Sequence, residues 1–372
     1  MTEGRPTLAY IDLQALDHNL AQVRARAGGR KVLGVVKADA YGHGAAEVAR
    51  RLESRGVEML GVALVEEGAR LRQAGVMLPI LVLGGVFGWQ AEGLLDYDLT
   101  PVVSTMEQAA LFSDAALRRG RTMSVHFKVD TGMGRVGMLP DEAVGLIADI
   151  CRLPGIVPEG VMTHLADVGG ADKSFAGLQI GLFKTVLERL ETSGIKFPLV
   201  HAAGSAAIVE FDPALFNMVR PGIMLYGCYP EPHMREYLDL RPVMSVRTRV
   251  MHVKTLEAGR PVSYGRTYVT PSPTVIATLP IGYADGFNRR LSNRGEVLVG
   301  GMKCPVLGRV CMDLIMVDAT AVTGVKSGDE AVVLGRQGDA VISAEDVAEL
   351  LGTISYEVLC NVSARVPRVY IY

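Results

Sequence analysis

Short apolar runs rich in β-branched residues alternate with amphipathic stretches through more than half of the chain, a pattern that predicts repeated βα units. The runs fall at 32–36, 59–63, 80–83, 99–103, 124–129, 158–163, 198–202 and 218–225, eight in all. Between them, 66–74, 106–117, 141–151 and 175–191 carry apolar residues at three- and four-residue intervals, and a helix at 12–27 precedes the first strand. Eight parallel units spread over roughly 200–250 residues fit a closed (β/α)8 barrel of TIM type better than an open doubly wound sheet, which stays the alternative.

Past Arg241 the long helical periods stop, and short β-branched segments are cut by Gly and Pro. Strands are expected at 244–256, 274–279, 297–300, 314–317, 330–334 and 366–371, with one helical stretch at 344–351. Pro261, Pro271, Pro273 and Gly300-Gly301 supply turns. The expected division is a barrel over 1–240 and a mostly β domain over 241–372, packed directly because no low-complexity linker separates them. A site between the two is the default expectation.

Composition narrows the function classes. With 372 residues, 49% hydrophobic and 21% charged, and a formal net charge of -2, the chain offers no electrostatic footprint for nucleic acid or an anionic membrane. Its first six residues lack the basic-then-apolar layout of a secretion signal, and no apolar run approaches the ~20 residues of a membrane span, so a cytoplasmic protein is expected. Five widely spaced cysteines without a C-x-x-C pair, and seven histidines without ligand spacing, point to neither a disulfide framework nor a metal site.

The chemistry gathers where such a barrel would have its rim, at the C-terminal ends of the strands. Lys37 ends an apolar run ahead of Tyr41, Gly42, His43 and Gly44. A lysine in an apolar mouth sheds its charge more easily and can form a Schiff base with an aldehyde such as pyridoxal phosphate; the plain alternative is a strand-end lysine reaching water. Thr163 and His164 come after Met162, His201 to Ser205 after Val200, and Arg220-Pro221-Gly222-Ile223 lies inside the eighth run. Ser205 and the backbone N–H groups near Gly222 and Ile223 suit a phosphate. Gly132-Met133-Gly134-Arg135-Val136-Gly137 fits the dinucleotide pattern G-x-G-x-x-G, but Pro140 starts the next helix and no acid stands at the required strand end. Arg135 reads better as a carboxylate clamp, its planar fork engaging two oxygens at once.

Taken together, 36–44, 128–135, 220–223, Val262-Ser263-Tyr264-Gly265, 308–313 and Tyr356-Glu357, in this order over nearly the whole length, resemble alanine racemases, pyridoxal-phosphate enzymes built from a barrel and a β domain. The resemblance implies that Lys37 holds pyridoxal 5'-phosphate covalently, with Tyr41, Ser205, Gly222, Ile223 and Tyr356 around its phosphate. Arg220, supported by His164, would face the pyridine nitrogen, while Arg135 and the Met312 backbone would receive the alanine carboxylate. Tyr264 would be the second catalytic base, supplied by the partner in a homodimer, with Lys37 serving the D-enantiomer proton and Tyr264 the L-enantiomer proton. The usual role of such enzymes is to supply D-alanine for peptidoglycan.

In many members the lysine ahead of Asp-Thr-Gly is carbamylated; at Lys128 this would turn a repelling cation into an anionic partner for Arg135, against the plain reading of a buried stem with a solvated head. Gly204 departs from the asparagine usual before the phosphate serine. Cys311 beside Met312 reads equally as packing. A decarboxylase of the same architecture would need an acid facing the ring nitrogen, which Arg220 does not supply, and a racemase of another small amino acid such as serine remains an alternative. A non-catalytic cofactor-binding relative has the barrel alone, and the secreted broad-specificity racemases carry a leader.

Overall fold

A computed structural model describes residues 4–372. The first three residues of the N-terminal stretch, read above as lacking a secretion signal, lie outside the described residues.

Strands Lys31–Val35, Met59–Val62, Ile80–Val82, Thr100–Val103, Met123–Lys128, Ile156–Met162, Leu199–His201 and Met218–Val219 pair in parallel and close into an eight-stranded barrel. Several are buried along their whole length, as strands covered by helices outside and side chains inside must be. Helices Ala45–Ser54, Val65–Gln73, Ala91–Asp96, Met106–Arg118, Pro140–Ile150, Ser174–Thr192 and Ser205–Glu210 follow successive strands. Helix Leu13–Ala27, which packs on both Ser205–Glu210 and Ala45–Ser54, closes the ring. Its start is fixed by Asp12, whose carboxylate accepts from Gln14 N at 2.8 Å and Ala15 N at 2.9 Å, and its end by Gly28 in the left-handed region.

The eighth apolar run is shorter as a strand than its composition suggests. Only Met218–Val219 pairs, and Ile223–Tyr226 forms a 3-10 turn, because Pro221 has no N–H to give a ladder. The turn stays buried, so the apolar composition reflects packing rather than strand.

Strand Leu8–Asp12, which the hydrophobic pattern did not announce, hydrogen-bonds antiparallel to Met244–Arg249 and parallel to Arg368–Ile371. It thus sits inside the C-terminal sheet, ordered Met302–Pro305, Glu296–Val299, Glu330–Gln337, Met244–Arg249, Leu8–Asp12, Arg368–Ile371, with Ala340–Ile342 paired to Glu330–Gln337. The expected strand over 244–256 is two, Met244–Arg249 and His252–Leu256, the second joining a separate three-stranded sheet with Thr274–Leu279 and Ile315–Asp318. Buried Asp285 takes both guanidinium arms of Arg5 at 2.6 and 2.5 Å, tying the chain's start to the C-terminal half. Among the described residues no helix is long and apolar enough to cross a membrane, and no cluster of metal-ligand residues forms.

Candidate active site

A cavity of about 370 Å³ opens at the C-terminal ends of the barrel strands. Lys37, Tyr41, Lys128, Arg135, His164, Ser205, Arg220, Gly222, Ile223 and Tyr356 all line it. Sequence reasoning named each of these, and the fold brings them together. Tyr356 arrives from the C-terminal half, on the short helix Ser355–Cys360 that the periodicity did not reveal.

Lys37 does not simply end a strand. Residues Ala38, Asp39, Ala40 and Tyr41 follow it with φ of 52–54°, a left-handed turn of four non-glycine residues. Such a conformation costs about 1–2 kcal/mol per residue and persists only where its surroundings enforce it. Here Glu67 accepts from Ala38 N at 2.7 Å, Asp39 accepts from Ala45 N at 2.8 Å, and His43 Nδ1 donates to Ala40 O at 2.9 Å. Arg368 donates to Gly42 O from Nε and Nη2, at 3.0 and 2.9 Å. Burial, then the nearby Arg135 cation, pulls the Lys37 amine below the ordinary lysine range.

Arg220 is buried and its guanidinium is pinned on one side. Nη2 donates to Thr163 O at 2.9 Å, to Ala202 O at 2.8 Å and toward His164 Nδ1 at 3.2 Å, while Nη1 donates to His201 Nδ1 at 2.9 Å. Nε finds no partner among the described residues, so donor capacity is left for the cavity that Arg220 lines. Burial pushes Arg220 down to about 9 and, with Arg220 next in effect, His164 down to about 3. At neutral pH Arg220 is therefore the cation and His164 the neutral acceptor beside it. His201 was seen in the sequence only as rim polarity; its contact with Arg220 makes it part of the site.

Near Ser205 the backbone approaches closely. Gly222 N donates to Ser205 Oγ at 2.9 Å, and a Cβ at Gly222 would come within 2.5 Å of the Tyr41 hydroxyl, so only glycine fits. Tyr41 packs on Tyr226 and Tyr356, at ring-centroid distances of 4.8 and 5.9 Å. Burial raises the Tyr41 phenol and pushes Tyr356 up to about 12, keeping both as neutral hydroxyl donors.

The G-x-G-x-x-G stretch is a loop wrapped around Asp130. Its carboxylate accepts backbone N–H bonds from Gly132, Met133, Gly134 and Arg135 at 2.8–3.1 Å, which aims Arg135 at the cavity rather than starting a dinucleotide-binding helix. Lys128 is buried two residues earlier, and burial followed by Arg135 and Arg220 pushes its amine down to about 8. Its Nζ makes no hydrogen bond among the described residues.

Tyr264 and Met312 do not reach this cavity within one chain. Tyr264 is 70% exposed and Met312 52%. Their loops meet where Ser263 Oγ donates to Arg309 O at 2.5 Å, forming an exposed face on the C-terminal half. Cys311 lies there too, its Sγ 3.5 Å from Ser263 Oγ.

The cavity thus holds Lys37, Lys128, Arg135 and Arg220 and no acidic side chain, a donor set that selects an anionic occupant. The comparisons with known proteins agree with this architecture. Residues 11–230 match the family model "Alanine racemase, N-terminal domain" and 243–370 match "Alanine racemase, C-terminal domain". An alanine racemase of Halothermothrix orenii is 48% identical over 367 residues, covering 98% of this chain and 97% of that protein. The solved alanine racemase of Clostridium difficile superposes with TM-score 0.96 at 40% identity, over 100% of this chain and 97% of that one. A Bacillus anthracis alanine racemase with bound L-Ala-P superposes with TM-score 0.93 at 36% identity, over 100% and 96%. On domain matches that span both halves and relatives aligned end to end, the chain belongs to the alanine racemase family.

Proposed function

We propose that the chain interconverts L- and D-alanine with pyridoxal 5'-phosphate, using one proton carrier on each face of the substrate α-carbon. The observation that carries this reading is a cavity whose charged side chains are all basic, around a lysine whose amine is held below its usual range just ahead of a strained turn. The residues present fit the cofactor. Lys37 would anchor its aldehyde carbon, and the cradle of Tyr41, Ser205, Gly222, Ile223 and Tyr356 would receive its phosphate through neutral donors. Arg220, with His164 beside it, would turn its unspent N–H toward the ring nitrogen. When bound, the cofactor supplies the conjugated system that makes the α-proton of the substrate acidic enough to remove.

The remaining work falls to this chain's own groups. Arg135, aimed by Asp130, would pair with the substrate carboxylate, joined by the Met312 backbone of a second copy. Lys37 Nζ, once displaced from the cofactor, would hold or return the proton on one face, and burial, which lowers its pKa, favours the neutral amine that this needs. Tyr264 of that second copy would serve the other face. Arg220 donates and does not surrender its proton, which limits charge delocalisation and favours racemisation over transamination. On this reading the barrel within residues 1–240 is the cofactor-binding domain, and 241–372, whose sheet also takes in strand Leu8–Asp12, is the domain that completes the partner's site, in a cytoplasmic homodimer that supplies D-alanine for peptidoglycan.

Racemisation predicts that L-alanine loses optical rotation with no release of CO2, and faster than L-serine or L-lysine does. Evolution of CO2 would instead identify a decarboxylase, and faster loss from L-serine would move the specificity.

Lys128 gives a second test. A buried amine pushed down to about 8, crowded by Arg135 and Arg220, gains by attacking CO2: the Nζ lone pair bonds carbon, one proton leaves to water, and a carbamate anion remains facing Arg135. With 13C-bicarbonate the enzyme should show a carbamate signal that Lys128→Met lacks, and the variant should raise KM for alanine roughly tenfold, the scale of one charge-assisted hydrogen bond. A bare ammonium in high-resolution density with bicarbonate present would sink the assignment.

A further inference from the structure

The barrel interior contains polar side chains that the proton chemistry above leaves unused. Barrels of this kind fill their interior with layers of branched apolar groups; here the fully buried His126 and His201 stand in the middle. His201 Nδ1 lies 2.9 Å from Arg220 Nη1, His126 Nδ1 lies 2.8 Å from His201 Nε2, and His126 Nε2 lies 3.3 Å from Glu159 Oε2. Two features of the backbone make room for this line. A Cβ at Gly160 would sit 2.6 Å from atoms of the His126 ring, so glycine is needed there. The pairing of Met123–Lys128 with Ile156–Met162 also shifts register between Val125 and His126, a bulge of the kind that re-aims a side chain. Glu159, its side chain 28% exposed, ends the line in a cleft at the opposite end of the barrel.

The line has only one consistent direction. A guanidinium donates and never accepts, so His201 Nδ1 must be the acceptor and its proton must sit on Nε2. His126 Nδ1 is then the acceptor, and its own proton sits on Nε2, facing the Glu159 carboxylate. Burial, foremost, holds both imidazoles below the usual histidine range, so each ring carries one proton. Turning either ring over would set N–H against N–H inside the barrel.

We propose that Glu159 and His126 are positioning residues that lock the His201 tautomer and, through it, hold Arg220 with its free donors turned to the cavity. The inference rests on reading Arg220 as the partner of the cofactor's ring nitrogen and extends it. A carboxylate on the far side of the barrel decides how that arginine is presented.

Magic-angle-spinning 15N NMR of histidine-labelled holoenzyme, assigned with His126→Gln and His201→Gln, reads the ring protons directly. Both rings should be neutral with Nε2 protonated; an Nδ1–H or doubly protonated ring at either position overturns the proposal. Glu159→Leu should release the His126 tautomer and lower kcat on the order of tenfold, the effect of losing the outer partner of a functional side chain, with KM for alanine unchanged. Glu159→Gln keeps an acceptor oxygen and should restore both the tautomer and most of kcat. Equal kcat in the two variants, or a loss expressed in KM, would mean that Glu159 merely supports the fold. The tautomers are measured without turnover, so absence of racemisation in the unaltered enzyme would sink the functional reading alone, and wrong tautomers in an active racemase would sink the line alone.

Discussion

Lys37→Ala is expected to lower kcat in both directions by on the order of 10⁴-fold or more, because in the proposed reaction Lys37 is at once the covalent anchor and one of the two proton carriers. The fold should survive. Lys37 Nζ makes no hydrogen bond among the described residues, and the left-handed turn that follows it is held by Glu67, Asp39, His43 and Arg368, none of which needs the amine. Borohydride reduction of the unaltered enzyme should fix the cofactor's mass on the peptide containing Lys37, and the variant should show no such adduct. A variant that retains kcat within tenfold, or an adduct on Lys128 in place of Lys37, would contradict the assignment.

The strength of this expectation lies in a feature the sequence hid. Ala38, Asp39, Ala40 and Tyr41 have ordinary compositions, and nothing in their side chains announces positive φ at four consecutive positions. The turn exists because tertiary partners far along the chain impose it: Arg368 reaches back from the last strand, and Glu67 from the next βα unit. Strain of this kind belongs to the whole fold, so local propensity cannot report it.

Other parts were open to reading. Parallel strands covered on both faces must be apolar along their length, which is why the eight barrel strands could be located from hydrophobicity alone. The eighth run was read too long, because its later apolar residues are buried in a turn, a state that burial cannot distinguish from a strand. Strand Leu8–Asp12 escaped notice because its partners lie more than 200 residues away in sequence. The rim residues were legible through their position after strands. His126, by contrast, sits within a strand two residues before Lys128, where alternation puts both side chains on the interior face. Period two could have placed it in the barrel, yet only the distances to His201 and Glu159 give it a role.

Tyr264→Phe is the second large expected effect, and it tests the proposal that a second copy completes the site. The side chain lies 70% exposed on a loop in which Ser263, Gly265 and Arg266 all have positive φ, of 61°, 71° and 50°. Met312 at 52% and Tyr283 at 42% exposure lie on adjoining loops, Tyr283 N donating to Cys311 O at 3.0 Å and Cys311 Sγ lying 3.5 Å from Ser263 Oγ, and exposed apolar groups that adjoin in this way suit a contact surface. If a second copy covers it, Tyr264 enters that copy's cavity and carries the proton opposite Lys37. Removing the hydroxyl should then cost about 10²–10⁴-fold in kcat, the range for one acid–base group. In deuterated water the variant should still exchange the α-proton of D-alanine, through Lys37, while exchange from L-alanine is lost. Sharing of the site has its own signature. Mixing equal amounts of inactive Lys37→Ala and Tyr264→Phe chains should restore about a quarter of the unaltered activity, since half of the dimers are mixed and each mixed dimer assembles one intact site out of two. No restoration after verified subunit exchange, or full activity of a monomer in dilute solution, would place both bases within a single chain and overturn the shared site.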